Sequence, residues 1–260
     1  MLTSGSFHSK DHFIRYRKPN EIKDLTIVLA SKCSDGITIV SDSKVLRGAD
    51  WEYQSKIDGE LLTEVVVGAA GTTAFFDKFK RHIISETNAL RAQKQENEAP
   101  YDSVEHFLVA CERILRSYKQ EYSIGERENP IELLIAVNAG DGSPSLHHLS
   151  TSEQVAEEEI RKYLAIGHGE PYSAFFMKKL WDPNITMTQS AVLSCAIIEI
   201  IDKNRLDISV GGDPIIWFIP KQGENRKIEG NDIQQILNQR DIFLGSLNVK
   251  MDELRSFLGK

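Results

Sequence analysis

The chain has 260 residues, 41% of them hydrophobic, and a formal net charge of −7 from 31 basic and 38 acidic side chains. That length and apolar content bury a sizeable core, as one large domain or two small ones, and the dispersed negative charge argues against a nucleic-acid surface. No apolar run approaches the ~20 residues of a membrane span, and no signal-peptide region opens the sequence. Cys33, Cys111 and Cys195 stand singly, at spacings that suit core thiols in a reducing cytoplasm and not disulfides or zinc.

Residues 1–24 are polar and carry a basic cluster, Arg15-Tyr16-Arg17-Lys18-Pro19. They read as a propeptide, an assembly arm or a disordered end. The stretch from Thr26 to Asp42, TIVLASKCSDGITIVSD, then holds two β-branched runs, Thr26–Ala30 and Ile37–Val40, around Asp35-Gly36. Asp-Gly suits the positive φ angles of a tight turn, so this is a predicted β-hairpin. A polar excursion leads to Lys56, and Val65–Ala70 is an apolar strand ending at Gly71. Helical spacing of Phe76, Phe79, Ile83 and Leu90 predicts a helix from Thr73 to about Gln95.

Asn97–Pro100 is a predicted loop, and Asp102 with Glu105 forms a capping-box pattern. It opens a helix whose stripe (Val104, Phe107, Leu108, Cys111, Leu115, Tyr118, Tyr122) is core packing. Strands are expected at Ile131–Asn138, Ser145–Leu149, Gln154–Ala156 and Tyr163–Ile166, with Glu157-Glu158-Glu159 as a solvated turn. His147 and His148 are adjacent on a strand and point to opposite faces, which disfavours joint metal binding. Pro171–Leu180 and Thr188–Asp202 form a second helix pair, the latter apolar on most sides and therefore covered by neighbours. Asp207–Ser209 and Pro214–Ile219 complete the predicted strands. Residues 221–260 form a C-terminal extension, in which Ile233, Ile236 and Leu237, then Met251, Leu254, Phe257 and Leu258, predict a helical pair.

The alternation of strands with helix pairs, with five blocks in fixed order, resembles the proteasome β subunits, which are N-terminal-nucleophile hydrolases. Thr26 takes the position of the nucleophile, Asp35-Gly36 the turn and Asp42-Ser43-Lys44 the strand end. Lys56-Ile57 takes the position of the catalytic lysine, and Val65–Gly71 that of the apolar strand ending in the glycine that lines the substrate channel. Gly167-His168-Gly169 is similar to the family's Gly-Ser-Gly, and Asp207-Ile208-Ser209-Val210-Gly211-Gly212 to its Asp-x-x-Ser-Gly-Gly. The resemblance covers roughly residues 25 to 220. It implies an α+β fold, a four-layer αββα sandwich in which helices cover the outer faces of two sheets.

The activity implied is threonine-type cleavage of peptide bonds inside an oligomeric ring, with no cofactor. A hydroxyl needs a base, and a free α-amine with a reference pKa near ~8 serves where a peptide nitrogen cannot. Thr26 acquires that amine only when residues 1–25 are removed. Asp42 and Lys56 would then form an ion pair beside it, with Asp207 closing the network near the amine and the Gly71 N–H as oxyanion donor. His168, Gly169 and Ser209 are the expected supporting residues. Two positions depart from the family: His168 and Val210 stand where it carries serines. Leu25 stands where family precursors commonly carry glycine, which implies slow self-cleavage, because a β-carbon hinders the strained turn. Implied partners are like subunits, unfolded polypeptide substrate and an ATPase or activator, with no nucleic acid or membrane. Two other readings stay open on the same fold: an unprocessed, non-catalytic ring subunit, and an amidohydrolase acting on small amides.

Overall fold

The structure is a computed structural model that describes residues 27–47, 50–71, 73–93, 101, 103–121, 131–138, 144–151 and 157–246. Its first half contains β1 (Ile27–Cys33), β2 (Gly36–Ser41), β3 (Lys44–Arg47), β4 (Asp50–Tyr53), β5 (Ile57–Leu62), β6 (Val65–Ala70), α1 (Thr73–Arg91) and α2 (Val104–Glu121). The second half contains β7 (Glu132–Val137), β8 (Ser145–Ser150), β9 (Glu157–Glu159), β10 (Tyr163–Gly167), α3 (Glu170–Leu180), α4 (Met187–Lys203), β11 (Ile215–Pro220), β12 (Arg226–Lys227) and α5 (Gly230–Ser246).

Two five-stranded sheets form, in the orders β10-β1-β2-β11-β12 and β5-β6-β7-β8-β9, and β3 with β4 makes a separate hairpin. The period-2 geometry of strands sorts the apolar residues into layers. In β1, Val28 and Ala30 face the other sheet, where they meet Val66, Leu134, Ala136 and Leu146. Ile27 and Leu29 face the opposite way, onto α3 and α4 (Phe176, Leu193, Ile197). On the far side, Val67, Leu133 and Ile135 pack against Phe75 and Phe79 of α1 and Cys111 and Leu115 of α2. Three apolar layers between four structural layers make the expected αββα sandwich. Strands buried on both faces explain why β1, β2, β6 and β7 read as continuous apolar runs.

The same logic accounts for α4, which lies between the first sheet and α5 and buries twelve of its side chains. Thr186 and Gln189 form a reciprocal capping box at its start. Ile236 of α5 is buried in this cluster, with Ile233, Phe243 and Leu244 against it, so the first C-terminal helix packs on the chain's own sandwich. All three cysteines are free and buried, and burial pushes the Cys195 thiol up to about 12.

Several sequence expectations need correction. Glu157-Glu158-Glu159 is not a turn but strand β9, paired with β8 through His147↔Glu159 and Leu149↔Glu157. It lies at the edge of its sheet, where charge is tolerated and discourages further pairing, and Glu159 also meets Lys32 at 3.0 Å. Asp207–Ser209 is not a strand: the Asp207 carboxylate accepts the Ser209 N–H at 2.9 Å and folds the segment into a turn. The cap of α2 is supplied by the Ser103 hydroxyl, which accepts the His106 N–H at 3.1 Å, one residue after the expected Asp102. The polar excursion before Lys56 holds the β3–β4 hairpin. Helix α1 ends at Arg91, short of Gln95. Residues 1–26 with their basic cluster, Asn97–Pro100, Asp102, Tyr122, Gln154–Ala156 and the apolar positions Met251 to Leu258 lie outside the described residues.

Candidate active site

Strand β2 ends at Ser41, and Asp42 follows with a side chain that is 0% exposed. A carboxylate in such a place is costly unless its oxygens are satisfied. Asp42 Oδ1 accepts the Lys56 ammonium at 2.7 Å and the Ile27 N–H at 3.1 Å, and Oδ2 accepts the Gly211 N–H at 3.1 Å. The Lys56 side chain is 5% exposed, and its ammonium also donates to the Lys44 carbonyl. Burial pushes the Asp42 carboxyl above the ordinary carboxylate range, while the Lys56 ammonium and the two N–H donors pull against that rise. The Gly211 carbonyl in turn accepts the N–H groups of Ser43 and Lys44 at 3.3 and 3.0 Å. Lys56 is therefore fixed by the strand end, by the start of β3 and by the Gly-Gly turn before β11. Thr26 itself lies outside the described residues; its neighbour Ile27 is the point where this network meets the first strand.

A second cluster sits on the other side of Ile27. The first described rung of the β1–β10 ladder pairs Ile27 with Gly167, so His168 and Gly169 follow directly from it. A Cβ on Gly169 would come within 2.9 Å of the Ile27 side chain and 3.1 Å of Val210, a close approach that only glycine permits. The His168 imidazole Nδ1 lies 3.3 Å from Asp207 Oδ2, and the Ser209 hydroxyl donates to Asp207 Oδ1. The turn 207–212 thus braces both clusters, with Asp207 and Ser209 in one and Gly211 in the other. Asp207 was expected to close the network near the amine; among the described residues it bonds with His168 and Ser209. Gly71 follows β6 with φ +117°, in the left-handed region that favours glycine.

Sequence reasoning overlooked the backbone partners, the Gly211 N–H and the Lys44 carbonyl. Backbone groups carry no residue signature, and only the paired glycines after Val210 hinted at a tight turn. His147 and His148 face opposite ways: His147 Nε2 is 2.7 Å from the Ser145 hydroxyl, and His148 Nε2 is 3.4 Å from Glu132 Oε1. Among the described residues, no group of three or more His, Cys, Asp or Glu could hold a metal ion, and no helix is long and apolar enough to cross a membrane.

One consequence is measurable without substrate. Burial would raise the Asp207 carboxyl, but the hydrogen bonds from His168 and Ser209 outweigh it and hold it below its ordinary value of 3.8. A lowered folded-state pKa adds stability that is fully present above the unfolded value and is lost as pH falls through the folded one. Ser209→Ala removes a hydroxyl bond to a carboxylate, worth about 1.5–3 kcal/mol while Asp207 is charged. Denaturant titrations of wild type and Ser209→Ala should therefore differ most above about pH 4 and converge on acidification. A difference that stays constant across this range would contradict the pairing.

A model of the proteasome subunit family matches residues 23–209, which contains both clusters apart from Gly211. Comparison with curated proteins returns no match.

Proposed function

Because the chain belongs to the proteasome subunit family, whose subunits assemble into rings with like subunits, we propose that it is a threonine-type peptidase subunit of such a ring, with Thr26 as nucleophile once residues 1–25 are removed. The observation that carries this reading is the buried Lys56–Asp42 pair, bonded to the backbone of the residue that follows Thr26. A buried ion pair stabilises a fold less than apolar side chains of the same volume often do, so its retention beside a candidate nucleophile points to chemistry. In the proposed reaction the Thr26 hydroxyl adds to the scissile carbonyl while the freed α-amine takes its proton. The amine returns that proton to the departing peptide nitrogen, and water then hydrolyses the acyl-enzyme ester. The Lys56 ammonium lowers the proton affinity of hydroxyl and amine, Asp42 keeps Lys56 charged and oriented, and the Gly71 N–H meets the oxyanion. Asp207 closes the network near the amine, with His168, Gly169 and Ser209 as its supporting residues. Unfolded polypeptide is the proposed substrate, an ATPase or activator the proposed regulatory partner, and the cytoplasm the proposed location.

A specific residue favours a second reading. Leu25 precedes Thr26, and its β-carbon opposes the strained turn that self-cleavage requires. An unprocessed chain would be a non-catalytic subunit of the same assembly. Leu25→Gly separates the two readings: the cleaved fraction, and peptide hydrolysis with it, should rise. A Leu25→Gly chain that stays intact within an assembled ring would overturn the peptidase reading and leave the structural one.

A further inference from the structure

Neither cluster of the candidate site uses Glu132, yet this carboxylate joins the two sheets at the site's edge. Glu132 opens β7 and stands opposite Ala70, the residue before Gly71. Its Oε2 accepts the Gly167 N–H at 3.1 Å, across from one sheet to the other. Gly167 ends β10 and is followed by His168 and Gly169. Oε1 lies 3.4 Å from His148 Nε2, longer than a good hydrogen bond, with both side chains 18% exposed. Burial raises the carboxyl of Glu170, the first residue of α3, and the charge of Glu132 raises it further.

An ordinary sheet-to-sheet contact in this fold is apolar, as the Val28, Leu134 and Ile166 layer shows. A mostly buried carboxylate there is a costly way to pack, and it delivers something an apolar side chain does not: a directional bond to one backbone N–H. That N–H belongs to the residue from which the His168-Gly169 turn departs, and the carboxylate sits beside the strand end that carries Gly71. We propose that Glu132 is a positioning residue of the candidate site, its carboxylate tying the Gly167–Gly169 turn of one sheet to the Gly71 strand end of the other. The proposal rests on the peptidase reading of the site and adds a determinant of its geometry. Displacing site groups by about 1 Å can cost about 10²-fold in rate, so the tie acts on kcat more than on substrate binding.

The test uses the full-length assembled protein with Glu132→Ala and Glu132→Gln, followed by peptide hydrolysis and amide exchange. Glu132→Ala should lower kcat at least about 10-fold with KM within about twofold, and should speed exchange at Gly167 and His168 above that of neighbouring strands. Glu132→Gln keeps an oxygen that accepts the Gly167 N–H and should recover most of kcat. A folded Glu132→Ala protein with wild-type kcat and wild-type exchange would overturn the proposal. So would a Glu132→Gln variant as impaired as the alanine, because the bond to Gly167 would then not be the determinant. A wild-type protein with a free Thr26 that hydrolyses no peptide would instead sink the peptidase reading. In that case exchange alone judges the tie: acceleration confined to Gly167–Gly169 supports it, and unchanged exchange refutes it.

Discussion

Lys56→Ala should destabilise the fold by about 3–5 kcal/mol, because it leaves the Asp42 carboxylate buried without its counter-charge. The Asp42 side chain is 0% exposed, and the Ile27 and Gly211 N–H groups that it also accepts solvate the anion but do not neutralise it. Asp42→Asn is also costly, since an amide offers one acceptor where three donors converge, and its NH2 would oppose either Lys56 or a backbone N–H. The double variant Lys56→Ala with Asp42→Asn removes both charges together. Its loss should therefore be smaller than the sum of the single losses, with a coupling of about 0.5–3 kcal/mol. Denaturant unfolding of the four proteins checks this, and additive losses would mean that the two side chains do not act as a pair. The same Lys56→Ala protein should show no measurable peptide hydrolysis even under conditions that keep it folded.

Thr26→Ala should lower peptide hydrolysis by at least about 10⁴-fold while leaving the unfolding midpoint and the assembled mass by light scattering unchanged. The substitution removes one hydroxyl and one methyl group and leaves in place the Ile27 N–H that Asp42 Oδ1 accepts. With the hydroxyl gone, neither self-cleavage nor acyl transfer has a nucleophile, so residues 1–25 should stay attached. Thr26→Ser restores a hydroxyl and should restore both steps in part. Hydrolysis that survives in Thr26→Ala would assign the chemistry to a different residue.

How much of this was legible in the sequence depended on the kind of signal. The β1–β2 hairpin was readable from the β-branched runs around Asp35-Gly36, although the turn residues are Ser34 and Asp35, and Gly36 already pairs with Cys33; the same Asp35 also accepts the Met187 N–H at 2.8 Å and seats the start of α4, which no local pattern announces. The layered core was readable because strands buried on both faces become unbroken apolar runs. Glu157–Glu159 misled because three carboxylates resemble a solvated turn, and edge pairing is a tertiary property. Asp207 misled in the other direction, since its side chain replaces the ladder bond that a strand would have made. Lys56 and Asp42 were nameable as a pair only through the ordered motifs they sit in. Glu132 and His148 carry no pattern at all, being one charge and one imidazole on separate strands that the β7–β8 register brings together.

The central claim, that Thr26 works through its own α-amine beside the Lys56–Asp42 pair, is tested most directly by the N-terminal residue of the assembled protein. Intact-mass measurement with N-terminal sequencing, on a sample whose peptide hydrolysis is measured in parallel, gives the answer. The account predicts a cleaved population that begins at Thr26, with hydrolysis proportional to its fraction. Hydrolysis by a sample in which every chain retains Leu25, or a fully cleaved sample that hydrolyses no peptide, would contradict it.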